Sequence, residues 1–393
     1  MSDAGLRAEV RNWLEVQWPG RLRVSATMWE ATPLSRAWMT KVRDARWAVP
    51  RWPHEWFGRA YSDEQASIVE QEFDRAGAPG AGQDRNNLPA NTALRFGSDA
   101  LKKAFVPGLL TGEITMCLLY SEPGAGSDLA GVRTRAQRDG DEFVIDGQKV
   151  WVSGAATATF GMLVARTNWD VPKHLGLSFF FFPMKQPGVD VRPLRQVTDE
   201  AHFNEVFLTG ARVPAANLIG ELNDGWRVLQ TALAYERSYM GDVARGPRHG
   251  ERAIDLVALA REFGRLDDPS MRQDLARVVA LRRLNVLNSA RAKASLEQGT
   301  SSPIMSLGKL AMSRILHEEA RVRTAILGAA GLLTGDEYPI SDDTNFLALN
   351  AYFTSIGGGT DQIQRNIIGE RVLGLPKEPE ADRDVPFNKV RGG

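Results

Sequence analysis

Two short segments hold the residue types best suited to chemistry. In Ser121-Glu122-Pro123-Gly124-Ala125-Gly126-Ser127-Asp128, glycines let backbone N–H groups approach a ligand closely, and two hydroxyls supply further hydrogen bonds. Alone, such a stretch is more often a turn than a site. Further along, Lys149-Val150-Trp151-Val152-Ser153-Gly154 reads as a strand, on which side chains alternate with period two. Trp151 and Ser153 therefore share a face, and the pair of segments suits a planar, hydrogen-bonding cofactor. A metal centre is not expected: His54, His174, His202, His249 and His317 are scattered, and neither HExxH nor CxxC occurs.

The elements that must position these segments fall into three regions. Residues 1–115 carry helical spacing in LRAEVRNWLEV and SDEQASIVEQEFDRAG, interrupted by the loop VPRWPHEWFG, whose tryptophans read as packing. Residues 116–220 switch to strand periodicity and read as a small β-barrel or sandwich. There Asp146-Gly147, flanked by Glu142–Ile145 and Lys149–Val152, predicts a hairpin turn, while Leu177–Phe182 and Phe203–Leu208 predict buried strands. Residues 221–376 return to long helices, with Leu275, Val278, Leu281, Leu284 and Leu287 at near-heptad spacing, as a bundle core or subunit interface requires. Residues 377–393 are polar and proline-bearing, so a loose tail is expected. The fold class is α+β multidomain: a helical domain, a β-domain and a helical bundle.

Composition narrows the partners. A chain of 393 residues, 43% apolar and 24% charged, is an ordinary globular protein of more than one domain, and no run approaches the ~20 apolar residues of a membrane span. Forty-eight basic residues balance forty-eight acidic ones, so no general attraction to nucleic acid or anionic lipid is encoded. The single cysteine, Cys117, excludes an intramolecular disulfide framework, and MSDAGLRAEV lacks the features of a signal peptide. A cytoplasmic location without membrane insertion is the expectation.

SEPGAGSD, KVWVSG and GTDQIQRNIIGERVLG, in this order, spacing and α–β–α layout, resemble the acyl-CoA dehydrogenase family over residues 10–376. The resemblance implies an N-terminal helical domain, a middle β-domain and a C-terminal four-helix bundle, with FAD as cofactor and acyl-CoA as substrate. It further implies that Leu118, Leu119, Tyr120, Ser121, Gly126 and Ser127 line the flavin, with Ser127 also near the acyl-CoA. Trp151 would pack on the isoalloxazine beside Val152, Ser153 would lie near N5, and Thr360 and Gln362 would reach the ribityl and phosphate portion. An electron-transfer flavoprotein or similar acceptor is the implied redox partner.

Many members of that family place a catalytic glutamate two residues before the threonine of the last motif. Here that position is Gly358, between Gly357 and Gly359, and glycine cannot take a proton. Relatives similar to isovaleryl- and long-chain acyl-CoA dehydrogenases place the base on the first bundle helix, and DGWRVLQTALAYERSYMG fits that arrangement with Glu236 as base and Arg237 beside it. Flanking Leu229, Ala232, Leu233, Tyr235 and Met240 make a partly dry setting that raises a carboxyl pKa and suits a general base. The implied reaction is α-proton abstraction by Glu236 with hydride transfer to flavin N5. Gly357, Gly358 and Arg237 are then candidate substrate contacts, the Gly358 N–H stabilising charge on the thioester oxygen.

Homotetrameric relatives also lend an arginine, three residues before a Phe-Gly pair, and a glutamine across an interface to a neighbour's FAD. Here those positions are Ala260 and Ala325, with Arg261 or Arg265 as substitutes in a shifted register. The resemblance therefore extends to bacterial α2β2 dehydrogenases of steroid side-chain thioesters, with this chain as the Glu-bearing subunit. Other readings are a homo-oligomer, a related flavoenzyme such as an acyl-CoA oxidase or flavin monooxygenase, and a non-catalytic partner subunit.

Overall fold

A computed structural model describes residues 2–20, 32–243, 255–297, 304–335 and 337–390. The chain divides into two compact units: one comprises the chain up to Arg195 with Ala201–Tyr235 and the segment from Ala381, the other Gln196–Glu200 and Glu236–Glu380.

In the first unit, α1 (Asp3–Gln17) starts where Ser2 accepts from Gly5 N, and its Leu6, Val10 and Leu14, spaced four apart, are buried. α2 (Pro33–Asp44) contributes Trp38 and Val42 to the same core. α3 (Asp63–Ala76) opens with a capping box between Ser62 and Gln65 and closes on Gly77 in the left-handed region, and its Val69 and Phe73 complete that core. Three short helices follow: α4 (Gln83–Asn86), α5 (Leu88–Phe96) and α6 (Asp99–Thr111). Trp52 of the interrupting loop is buried among α5 and α6 residues, as packing predicts.

The α1–α3 core is pinned by one carboxylate. Glu72, with a side chain 2% exposed, meets Arg7 at 3.0 Å, Arg11 at 2.7 Å and Arg75 at 3.0 Å. The Arg11 hydrogen bond leads in lowering its pKa from 4.5 to about 2, against burial. A depressed folded-state pKa means that this stabilisation is whole above pH 4.5 and is lost as pH falls toward 2. Glu72→Gln therefore lowers the melting temperature at neutral pH, and its curve merges with wild type near pH 2; parallel curves down to that pH would show that the cluster contributes nothing.

The middle region is one mixed eight-stranded sheet: β1 (Met116–Leu119), β2 (Arg135–Asp139), β3 (Glu142–Ser153), β4 (Phe160–Arg166), β5 (Leu177–Pro183), β6 (Val189–Leu194), β7 (Phe203–Pro214) and β8 (Leu218–Ile219). Its order is β6-β7-β3-β2-β4-β5-β8, with β1 parallel to β4. Around β4 and β5 both faces are buried, which explains four consecutive phenylalanines in β5. Phe179 and Phe181 join a core shared with α5 and α6, whereas Phe180 and Phe182 join Phe143, Ile145, Val206 and Leu208 on the other face. Because β5 and β7 reach one cluster from distant places in the order, the sheet curls around it in the manner of a barrel.

The Asp146-Gly147 hairpin does not form. β3 runs unbroken through it, and the reversal lies one step earlier at Asp139-Gly140-Asp141, with Gly140 at φ 62°. Gly147 marks a bulge where the register to β7 shifts, and a Cβ there would stand 2.5 Å from Thr134 Oγ1 and 2.7 Å from its Cα. Close approach of two backbones, not a turn, requires this glycine.

α7 (Gly225–Val243) begins in the first unit, where Val228, Leu229 and Ala232 are fully buried. The second unit holds α8 (Leu256–Glu262), α9 (Pro269–Glu297), α10 (Ile304–Leu327), α11 (Pro339–Ile356) and α12 (Asp361–Ile367). Leu256, Leu259, Met271, Leu275, Val278, Val322 and Ile326 form its core. The α9 stripe divides: Leu275 and Val278 are buried, whereas Leu284 and Leu287 are exposed.

The tail expected to be loose is tied down beyond residue 384. Phe387 is 3% exposed, Phe387 N donates to Val171 O at 2.9 Å and Asn388 N donates to Trp169 O at 3.0 Å. A phenylalanine with a pocket to fill overrides the polar composition around it. Among the described residues, no helix is long and apolar enough to cross a membrane.

Candidate active site

In the first unit both motifs converge on one buried ion pair. Lys149, wholly buried, donates from Nζ to Tyr120 O at 3.0 Å, Glu122 Oε1 at 2.8 Å and Val164 O at 2.8 Å. Glu122 also accepts from Arg133 N at 2.6 Å, from Thr134 N at 2.9 Å and from Thr134 Oγ1 at 2.6 Å. Burial disfavours the Glu122 carboxylate, but the Lys149 ammonium and these donors outweigh it and hold its pKa below the usual range. Burial also draws the Lys149 pKa down, with Glu122 opposing. Val150 N donates to Ser121 O at 2.9 Å, so the strand and the loop are fastened side by side.

Beyond this clamp, the strand turns Trp151 and Ser153 outward. Trp151 takes φ 61°, a left-handed conformation that costs a bulky residue roughly 1–2 kcal/mol, at a register shift between Lys149 and Val152. This bulge leaves Lys149 and Val150 both buried and the Trp151 indole 59% exposed, touching Phe203 edge-on at 5.9 Å. Ser153 is exposed on the same side and Val152 is buried, as alternation predicts. Ser121 is half-buried, Gly126 and Ser127 are exposed, Leu118 is half-buried, and Leu119 and Tyr120 are buried. Among the described residues, a Cβ at Gly124 or Gly126 would meet nothing within 4 Å, so room is left beside that backbone. An outward indole, a neighbouring hydroxyl and an open glycine loop fit a planar aromatic ring with hydrogen-bonding edges, such as a flavin. Leu119 and Val152, both expected to line the cofactor, have side chains buried in the inner core of the sheet. Sequence reasoning missed Lys149 and Glu122 as the pair that holds the loop; the signal was their place inside the two motifs.

In the second unit, Gly357-Gly358-Gly359-Thr360 links α11 to α12, with Gly358 at φ 65° and Gly359 at φ 93°. Only glycine takes these values without strain. The link is braced at both ends: His317 Nε2 lies 2.7 Å from Ser355 Oγ, which lies 2.9 Å from Ser313 Oγ, which donates to Asp361 Oδ2 at 2.8 Å. Lys309 closes the chain on Asp361 at 3.1 Å. Thr360 caps α12 through Ile363 N at 3.2 Å, so its hydroxyl already accepts one bond. Gln362 is exposed, whereas Gln364 is fully buried, neither of its amide atoms has a hydrogen-bond partner among the described residues, and its Nε2 lies 2.8 Å from the place of a Gly359 Cβ. Gln364 is the glutamine that sequence reasoning passed over.

Glu236 and Arg237 lie on α7, but their side chains are outside the described residues. Ala260 is buried in the bundle core, Ala325 is exposed, and Arg265 Nε donates to Ile326 O at 3.2 Å.

Comparison with known proteins agrees with this arrangement. The chain matches the acyl-CoA dehydrogenase N-terminal domain over residues 3–113, the middle domain over 117–210 and the C-terminal domain over 223–373. It therefore belongs to the acyl-CoA dehydrogenase family, FAD-dependent oxidoreductases acting on acyl-CoA thioesters. It is 36% identical over 386 residues to acyl-CoA dehydrogenase IpdE1 of Mycobacterium tuberculosis, covering 95% of this chain and 97% of that protein. Among solved structures it resembles the Tcur3481-Tcur3483 steroid ACAD at 30% identity and TM-score 0.71, covering 96% of this chain and 98% of that one. It likewise resembles the ChsE4-ChsE5 complex from Mycobacterium tuberculosis at 28% identity and TM-score 0.67, with 96% and 98% covered.

Proposed function

We propose that the chain is the Glu-bearing subunit of a cytoplasmic α2β2 acyl-CoA dehydrogenase that desaturates bulky, steroid side-chain CoA thioesters. The observation that carries the pairing is the alanine at both positions, Ala260 and Ala325, where homotetrameric relatives lend groups to a neighbour's cofactor. Likeness to a steroid ACAD and to a two-protein complex supports it. So does the exposed apolar run Leu284, Val286 and Leu287 on α9, which a subunit contact would cover.

In this reading Leu118, Tyr120, Ser121, Gly126, Ser127, Trp151 and Ser153 hold FAD, and Thr360 and Gln362 contact its ribityl and phosphate portion. Bound flavin supplies the acceptor for the substrate's β-hydride. Glu236 removes the α-proton, and the Gly358 N–H donates to the thioester oxygen as charge gathers there. Ser127, Arg237 and Gly357 orient the substrate. The domains are 1–115, 116–220 and 221–376, and an electron-transfer flavoprotein or similar acceptor reoxidises the enzyme.

Two measurements test the proposal. FAD counted per chain is far below one for the protein purified alone and rises when the partner chain is co-expressed; full occupancy in the lone protein contradicts the pairing. With an artificial electron acceptor, polycyclic acyl-CoAs turn over faster than short or straight-chain ones. A preference for straight chains contradicts the substrate class, and rapid peroxide release with acyl-CoA identifies an oxidase instead.

A further inference from the structure

We propose that residues 385–390 form a strap whose Phe387 ring positions the Ser121–Thr134 loop through buried Arg166, making Phe387 a positioning residue for the flavin-facing segment. The inference rests on the proposed function only in naming what that loop faces.

The loop has little apolar support on one side. A cavity of about 410 Å³ lies behind it, lined among others by Gly124, Arg133, Gln148, Lys173 and Phe387. Polar struts hold the loop instead. At its start stand the Glu122 bonds already described. At its end, Asp128 Oδ2 accepts from Lys173 Nζ at 3.0 Å. Arg166 Nη2 donates to Ala130 O at 2.6 Å, Nε to Val132 O at 3.1 Å and Nη1 to Lys173 O at 3.1 Å. One guanidinium thus fixes the two carbonyls that follow the glycine run and the backbone of the lysine that grips Asp128.

Arg166 is fully buried, and a charge there must be compensated. Three carbonyls supply part of that compensation. The nearby Glu122 and Asp128 carboxylates add to it, and Phe387 covers the face of the guanidinium, its ring centroid 3.6 Å from the guanidinium carbon, with Trp169 further out at 5.7 Å. Phe387 itself is seated by its backbone bond to Val171, by Asn388 N on Trp169 O, and by Asn388 Nδ2 on Asp170 Oδ1 at 2.6 Å. Without the ring, water reaches Arg166 from the cavity side and competes for the donors that hold Ala130 and Val132. The backbone after Ser127 then opens more often.

Amide hydrogen exchange of the full-length chain tests this. Phe387→Leu keeps the apolar bulk and removes the π-face; exchange across residues 128–134 is expected to rise on the order of tenfold, the loss of a desolvated cation–π contact. Exchange in β5, residues 177–183, stays at the wild-type rate. Phe387→Tyr restores the slow exchange at 128–134, and Asn388→Ala, which keeps the ring, raises it in the same direction by less. Unchanged exchange at 128–134 in Phe387→Leu, or an equal rise in β5, overturns the strap. Adding FAD to the wild-type protein, with its partner chain present, slows exchange at 121–127. Failure of that arm alone removes the flavin reading and leaves the strap standing.

Discussion

Glu236→Gln lowers turnover by about 10²–10⁴-fold while bound flavin is retained. Glutamine has the shape of glutamate and a comparable helix propensity, so α7, which buries Val228, Leu229 and Ala232 upstream, keeps its seat. In the proposed mechanism what is lost is the acceptor for the α-proton, and the family's alternative position holds Gly358 in place of a carboxylate. The effect falls on kcat more than on KM, since the group acts in the transition state. Flavin absorbance of the purified variant, set against its steady-state rate with an artificial acceptor, checks both halves. Wild-type turnover would remove Glu236 from the mechanism.

Lys149→Met is the second large effect, on the loop instead of the chemistry. Removing the ammonium strands Glu122 as a buried charge, at a cost of about 3–5 kcal/mol. For a unit of this size the melting temperature falls on the order of ten degrees. Tyr120 O and Val164 O lose their donor too, so the loop carrying Ser121 and Ser127 loosens and flavin dissociates more readily. Adding Glu122→Gln to Lys149→Met recovers part of the loss, because the stranded charge is gone. Acid acts on the same clamp: the lowered Glu122 pKa means that its contribution is whole above pH 4.5 and fades as pH falls below it. A Lys149→Met protein with wild-type melting and flavin retention would show that the clamp does not hold the loop.

Much of this architecture was legible from periodicity. The spacing of Leu6, Val10 and Leu14 gave α1 its buried face, and the apolar run Leu177–Phe182 gave β5, because burial imposes these patterns directly. Outward Trp151 and Ser153 followed from strand alternation. The left-handed bulge at Trp151 did not, since nothing in an isolated strand marks where its partner's register slips. Asp146-Gly147 was misleading for a related reason. Its glycine serves a close approach to Thr134, a neighbour that only the folded sheet supplies. Phe387 shows the converse, one apolar residue in a polar segment whose partner, Arg166, is distant in sequence. Lys149 reads on the page as a surface residue at the edge of a motif, and only the arrangement of Tyr120, Glu122 and Val164 around it shows otherwise.

The central claim is that one glutamate on α7 and a flavin carried by the same chain desaturate an acyl-CoA thioester. Anaerobic mixing of the flavin-loaded complex with one equivalent of polycyclic acyl-CoA tests it most directly. Flavin absorbance should bleach in a single turnover, with the matching enoyl-CoA formed in equal amount, and Glu236→Gln should leave the flavin oxidised. Bleaching of that variant at the wild-type rate, or a wild-type complex whose bound flavin stays oxidised with every acyl-CoA offered, would contradict the account.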